Sequence, residues 1–149
     1  MTVGTICNRN VATIDPDADI TEAAERMRRE HVGDLIVAKF KDARLVPVGI
    51  VTDRDIVISV VAKKVDPTTL TVGDVMSADL LTVREDNGID FALREMRRFG
   101  VRRVPVIGTA GELVGVLSIN DVVDYLGVQL SHIGDIIRFS QEAEAEKRP

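Results

Sequence analysis

The sequence predicts an α/β (α+β) protein made of two β-α-β-β-α repeats packed about a pseudo-twofold axis, with an additional C-terminal helix. Three observations predict it. The stretch Gly49-Ile50-Val51-Thr52-Asp53-Arg54-Asp55-Ile56-Val57 returns as Gly115-Val116-Leu117-Ser118-Ile119-Asn120-Asp121-Val122-Val123. Short apolar runs of strand type alternate with segments of helical periodicity, in the same order in both halves. Hydrophobic residues make up 45% of the chain, aromatic residues 3%, and tryptophan is absent. The core must therefore be mostly Val, Ile, Leu and Ala, and the branched residues among these favour strands.

The duplication extends well beyond the repeated junction. Aligning residues 3–37 with 72–106 pairs Val3 with Val72, Gly4 with Gly73, Thr13 with Thr82, Ile20 with Ile89, Ala23 with Ala92, Met27 with Met96 and Val37 with Val106. The spacing then shortens, and Val48 pairs with Val114, Gly49 with Gly115 and Asp55 with Asp121. The gap falls between residues 39–44 and 107–112, where a turn is expected and deletions cost least.

In the first repeat, residues 11–14 read as a strand and Asp15-Pro16-Asp17 as a turn. Asp19 and Glu22 have the spacing of a capping box. A helix over Ile20–Glu30 places Ala23, Ala24 and Met27 on one face, and His31-Val32-Gly33 ends it. Strands follow at 35–40 and 45–51, then a helix over 53–62. The second repeat reads as strand 80–83, helix Ile89–Phe99, strands 104–107 and 113–117, and helix 119–126. Residues 63–70 form a polar linker with Pro67, and 71–76 a helical turn matching residues 4–7. The expected division is repeat one at 1–65, repeat two at 66–127 and a helical tail at 128–149. That tail is amphipathic through Leu130, Ile133 and Ile137, then charged. It packs on its own domain or docks on a partner or second copy. One repeat has too few strands to bury itself, so the two should pack together.

Composition narrows the function. Nineteen Lys and Arg against 24 Asp and Glu give a net charge of −5, which argues against general nucleic-acid binding. Cys7 is the single cysteine, so no internal disulfide forms. No charged start leads into an apolar run, and no apolar run approaches the roughly 20 residues that span a bilayer. The expectation is a cytoplasmic protein without a membrane partner. No HExxH, CxxC, phosphate loop or GxSxG elbow occurs, so no metal site and no catalytic residue is assigned. His31 reads as a helix-end cap or anion contact, Cys7 and the Met27/Met96 pair as packing residues, and Arg28-Arg29 and Arg97-Arg98 as solvated helix faces.

The repeated junction carries the chemistry. A hydroxyl at the strand end and a carboxylate three residues on, as in Thr52 with Asp55 and Ser118 with Asp121, have the form of a helix cap. A helix start also offers N–H groups and a positive dipole end to an anion. A carboxylate there can accept from two adjacent ribose hydroxyls. An Asp is shorter than the usual Glu of a capping box and so free to point outward. Arg54, Arg102 and Arg103 supply positive charge where the strand ends converge.

Gly-hydrophobic-hydrophobic-Thr/Ser-x-x-Asp-hydrophobic-hydrophobic, preceded by Val-Arg-Arg-Val-Pro-Val at residues 101–106, resembles the cystathionine-β-synthase (CBS) domain. Two copies in tandem resemble a Bateman module, and the resemblance covers about residues 3–127. It implies clefts between the repeats that bind an adenosine-containing ligand: AMP, ADP, ATP, S-adenosylmethionine or NAD. By the same resemblance Asp55 and Asp121 hold ribose, and Thr52 and Ser118 contact phosphate. Thr13-Ile14 and Thr82-Val83 line the adenine pockets, and Arg102 and Arg103 reach phosphate. Ile36 in the first repeat and Val104-Pro105 in the second complete the expected nucleotide-binding set. Repeat one departs from the pattern: Gly33-Asp34-Leu35-Ile36 stands where repeat two has Arg102-Arg103-Val104-Pro105. Asp34 would repel a phosphate, so the two clefts should differ in affinity.

The function expected is a regulatory, energy-sensing module, not an enzyme, whose adenine ligand is a signal and not a catalytic cofactor. It signals to an unidentified effector protein and forms a homodimer of four repeats. The alternative is an interaction module of the same fold with no ligand.

Overall fold

The computed structural model describes residues 1–148; Pro149, at the end of the expected tail, lies outside the described residues. The first repeat contains β1 (Thr13–Ile14), α1 (Ile20–Glu30), β2 (Asp34–Lys41), β3 (Arg44–Thr52) and α2 (Asp53–Ile56), with π-type turns over Val57–Val61. After a capped turn at Pro67–Thr69 come α3 (Val72–Val75), β4 (Val83–Arg84), α4 (Ile89–Phe99), β5 (Arg103–Ile107), β6 (Leu113–Ser118) and α5 (Ile119–Lys147). The strands form two three-stranded sheets, β1-β2-β3 and β4-β5-β6. In each the first strand pairs parallel with the second and the second antiparallel with the third. Both sheets shift register at the same point, after Val37 and after Val106.

The two long repeat helices end as expected. Asp19 caps α1 by accepting from the Glu22 N–H at 2.8 Å. This is the Asp19 half of the expected capping box. Ile20, Ala23 and Met27 form its buried face. His31 closes it in the left-handed conformation at φ 55°, and Gly100 closes α4 likewise at φ 67°. A left-handed residue at this position satisfies the last free carbonyls, and glycine adopts it with least strain.

The cores reveal an exchange between the repeats. Val3, fully buried, packs with Val83, Met96, Val104 and Leu117 of the second repeat, and Cys7 packs at the edge of that cluster. Val72, also fully buried, packs with Ile20, Met27, Leu35 and Val51 of the first. Backbone hydrogen bonds repeat the pattern. Val3 N–H donates to Asn87 O and Val72 N–H to Ala18 O, each at 2.8 Å. Asn8 bridges to Val116, and Ser77 to Ile50. The leader of each repeat thus lies across the other, which is how the pseudo-twofold axis is built. The glycine of each junction permits the crossing. A Cβ at Gly115 would lie 2.8 Å from the Cys7 Sγ, and one at Gly49 would lie 2.9 Å from the Ser77 O.

Two helices differ from expectation. The helix expected over 53–62 is α-helical only to Ile56 before widening to π-type turns; its branched run Val57-Ile58-Ser59-Val60-Val61 is a poor α-helix former. The helix expected to stop at residue 126 instead continues as one 29-residue helix through Gly127 and Gly134 to Lys147. Both glycines keep negative φ, and no proline interrupts the segment. The part of α5 beyond its first turns does not pack on its own domain: Leu126, Leu130, Ile133 and Ile137 are all more than half exposed. No helix among the described residues is long and apolar enough to cross a membrane.

Candidate ligand-binding cleft

Each junction is a complete capping box. The Thr52 hydroxyl accepts from the Asp55 N–H at 3.1 Å, and Asp55 Oδ2 accepts from the Thr52 N–H at 2.9 Å. Ser118 Oγ accepts from the Asp121 N–H at 3.2 Å, while Asp121 Oδ2 accepts from the Ser118 N–H at 2.7 Å and its hydroxyl at 2.6 Å. The expectation that a short Asp points outward is corrected. The strand-to-helix turn brings the hydroxyl residue close enough for Asp to reach back, so Oδ2 is committed in both repeats. Each carboxylate leaves Oδ1 outside the box. The box alone does not mark a ligand site, since Thr71 and Asp74 make the same one at the start of α3.

The helix starts are also less open than expected. Ile119 N–H donates to Arg102 O, and Asp53 N–H to Gly33 O, each at 2.9 Å. In α2 the next amide, Arg54 N–H, is taken by Asp53 Oδ1 at 2.7 Å. In α5 Ile119 replaces that aspartate, leaving the Asn120 N–H without a protein acceptor among the described residues. The second repeat therefore keeps one free N–H at the positive end of a helix, where an anion is favoured.

That end opens into a cleft of about 760 Å³ shared by both repeats. The first repeat contributes an apolar wall of Val11, Ala12, Val32 and Ile36, and the second contributes Arg103, Ser118, Asn120 and Asp121. Asn8 and Asn10 of the crossing leader line it, as do Arg26 and Glu30 of α1, paired at 2.8 Å. Asp34 and Arg103 form an ion pair across the repeats at its edge. They hold equivalent positions, each opening the middle strand of its sheet. The expected repulsion of a phosphate by Asp34 is thus offset by Arg103, and Arg103 is not free but shared.

Of the residues singled out in the sequence, the structure brings Ile36, Arg103, Ser118 and Asp121 to this cleft. Thr52, Arg54 and Asp55 form the pseudo-symmetric junction and do not line it. Thr13 and Ile14 are paired opposite Ile36 and Val37 and do not line the cleft; Val11 and Ala12, just ahead of them, do. Ile14, Val83 and Val104 belong to the two cores, and Pro105 is buried opposite Val116. The side chains of Ile14, Val83 and Val104 fill the interior, while Pro105 lies at the strand position equivalent to Ile36. Thr82 and exposed Arg102 lie outside the cleft, although the Arg102 carbonyl anchors α5. The sequence reading missed Val11, Ala12, Asn8, Asn120, Arg26 and Glu30. The one available signal for the leader was the repeated glycine at 49 and 115, which required something to pass closely over it. Burial pushes the Cys7 thiol up, with Arg9 opposing. No group of three or more metal-ligating side chains gathers among the described residues.

Two repeats that exchange leaders and share a cleft at a Ser/Thr-x-x-Asp junction define a class of paired-repeat modules. The family model of the CBS domain matches residues 3–62 and again 72–128, and the chain belongs to the CBS domain family. An uncharacterized protein of Methanopyrus kandleri is 33% identical over 123 residues, 83% of this chain and 61% of that protein. The chain thus spans about three-fifths of that relative's length. Hypoxic response protein 1 of Mycobacterium tuberculosis is 36% identical over 81% of this chain and 82% of its own. The structure of a Pyrobaculum aerophilum CBS domain protein complexed with AMP has TM-score 0.72 and 29% identity, covering 81% of this chain and 89% of that one.

Proposed function

We propose that this chain is a regulatory module that binds an adenine nucleotide, AMP foremost, in the cleft between its repeats and passes the state of that cleft to an effector protein. The observation that carries the reading is the Asp121 junction. A carboxylate with Oδ1 available, a free Asn120 N–H and the Arg103 guanidinium face an apolar wall from the other repeat. Asp121 accepts from ribose, the Asn120 N–H and Arg103 receive phosphate, and Ile36 with Val11 and Ala12 covers the base. The AMP complex of the P. aerophilum relative supports the choice of ligand; ADP, ATP, S-adenosylmethionine and NAD share the adenosine part and are the competitors to test. The ligand acts as a signal in the cytoplasm, where adenine nucleotides are abundant, and the chain turns nothing over. The signal is a shift in population. Because the cleft walls belong to different repeats, a bound nucleotide favours the inter-repeat angle that fits it best. Closed twofold pairing is the commonest oligomer of soluble proteins, and a homodimer is part of this reading.

Calorimetry with AMP tests it. Asp121→Asn keeps an oxygen for the cap and removes the charge, so the fold should hold while AMP binding weakens at least ~10-fold, about 1.4 kcal/mol. Asp55→Asn should leave this cleft unchanged. Unaltered affinity in Asp121→Asn would sink the assignment. A chain that binds no adenosine ligand would instead be an interaction module whose junctions serve only as caps.

A further inference from the structure

Beyond its first turns, α5 carries a stripe that its own domain does not cover. Val123, Leu126, Leu130, Ile133 and Ile137 recur at alternating steps of three and four, the spacing that keeps one face of a helix against a partner helix. Leu130 is 69% exposed, and Ile136, at the stripe's edge, 68%. These six side chains leave on the order of 600 Å² of apolar surface in water, approaching the roughly 800 Å² per partner of a stable interface. A patch of this size stands at the upper end of what a monomer exposes, and such patches are often interaction sites.

The two glycines give the second observation. Gly127 and Gly134 lie one heptad apart beside the stripe, and a Cβ at either would meet nothing within 4 Å. Neither has a positive φ. Glycine inside a helix weakens it, yet nothing within the chain requires glycine at either position. A helix approaching closely along that side would.

Charge identifies the occupant. The positions flanking the stripe are Gly127, Gln129, Gly134, Ile136, Gln141 and Ala143. None is charged, so an identical helix meets no repulsion. A lipid surface fits poorly, because a helix lying on a membrane is rimmed with Lys and Arg, and residues 119–146 hold only Arg138. We propose that α5 pairs antiparallel with α5 of a second copy of this chain. In that arrangement Leu126 faces Ile137 and Leu130 faces Ile133 across the pair, while Gly127 lies opposite Gly134. A parallel pair would instead set each residue against itself. The proposal rests on the homodimer reading and is independent of nucleotide binding.

Sedimentation of the full chain tests it. The wild-type protein should be a dimer, and Leu130→Glu with Ile133→Glu should weaken association at least ~100-fold while AMP binding stays unchanged and melting falls only to that of the dissociated wild-type chain, both sites being solvent-exposed within one chain. Gly127→Ala with Gly134→Ala should raise helix content yet weaken the dimer at least ~10-fold. Mixing Leu126→Cys and Ile137→Cys proteins should give mainly the mixed disulfide on oxidation. A wild-type monomer would overturn both this proposal and the homodimer reading. A dimer indifferent to the Glu pair, or dissociated only by Val61→Glu on the first repeat, would overturn this interface alone. Disulfides joining like positions would overturn the antiparallel arrangement.

Discussion

The first and second repeats share a framework but differ in charge where they meet. Asp34 opens β2 and Arg103 opens β5, and the two residues face each other across the pseudo-twofold axis. A residue on such an axis meets its own counterpart. Had duplication left both positions alike, two carboxylates or two guanidiniums would be opposed. Divergence turned a self-repelling position into an ion pair. The same divergence separates the clefts: Arg103 enters the one lined by Ser118 and Asp121, while Asp53 closes the corresponding helix amide in the first repeat. A perfectly symmetric chain would have two equal clefts and a weaker seam.

Substitutions at the leaders, the axis and the caps act differently on the two repeats. The largest effect is expected from the exchanged leaders. Val3→Ala removes fully buried methyl groups from the second core, though Val3 lies in the first repeat's sequence. It should cost about 2 kcal/mol. Hydrogen exchange should quicken in β4–β6 before β1–β3, and Val72→Ala should reverse that order. Acceleration confined to each variant's own sequence repeat would contradict the exchange. Next comes the axis. Asp34→Arg sets two guanidiniums against each other and should cost about 1–2 kcal/mol, since the pair is partly screened by solvent. Adding Arg103→Asp should recover most of the loss in urea unfolding; no recovery would mean the charges act separately.

The caps give a smaller and more selective contrast. Ser118→Ala and Thr52→Ala should each cost about 1 kcal/mol, but only the former should also weaken AMP in calorimetry. Equal effects on binding would make the clefts equivalent. The smallest effect concerns Asp74, whose carboxyl is held below its ordinary value, chiefly by the Thr71 backbone N–H and then by its hydroxyl. A depressed folded-state value stabilises the fold above the unfolded carboxylate range, and that contribution is lost as pH falls through the depressed value. Urea midpoints between about pH 5 and pH 2 should therefore fall less steeply in Asp74→Asn than in the wild type.

The repeat, the two long helices and the strand order were legible because periodicity and duplication are local patterns. Ile20–Glu30 and Ile89–Phe99 could be read to the residue, since their apolar faces and end signals agree. The crossing was not legible. A sequence repeat shows which segments correspond, not which core each enters, and Val3 looks the same whether it packs beside Val37 or Val106. The cleft suffered for the same reason. Ser118, Asp121, Ile36 and Arg103 were found, but Val11 and Ala12 line the cleft where Thr13 and Ile14 were expected, Ile14 being turned into the first core. The continuity of α5 was missed, because the sequence shows a helix on each side of Gly127 and only the surrounding chain decides whether a glycine divides two helices or lies within one.

The exchanged leaders also bear on how such a protein can change over generations. A break between residues 65 and 66 separates the two copies in the gene but not in space, since each half would keep its partner's leader and lose its own cover. Neither half is a cassette that recombination can transplant with its core intact. The heritable unit is the pair, and residues 3–7 and 72–76 are free to diverge only in step with the repeat that they cover.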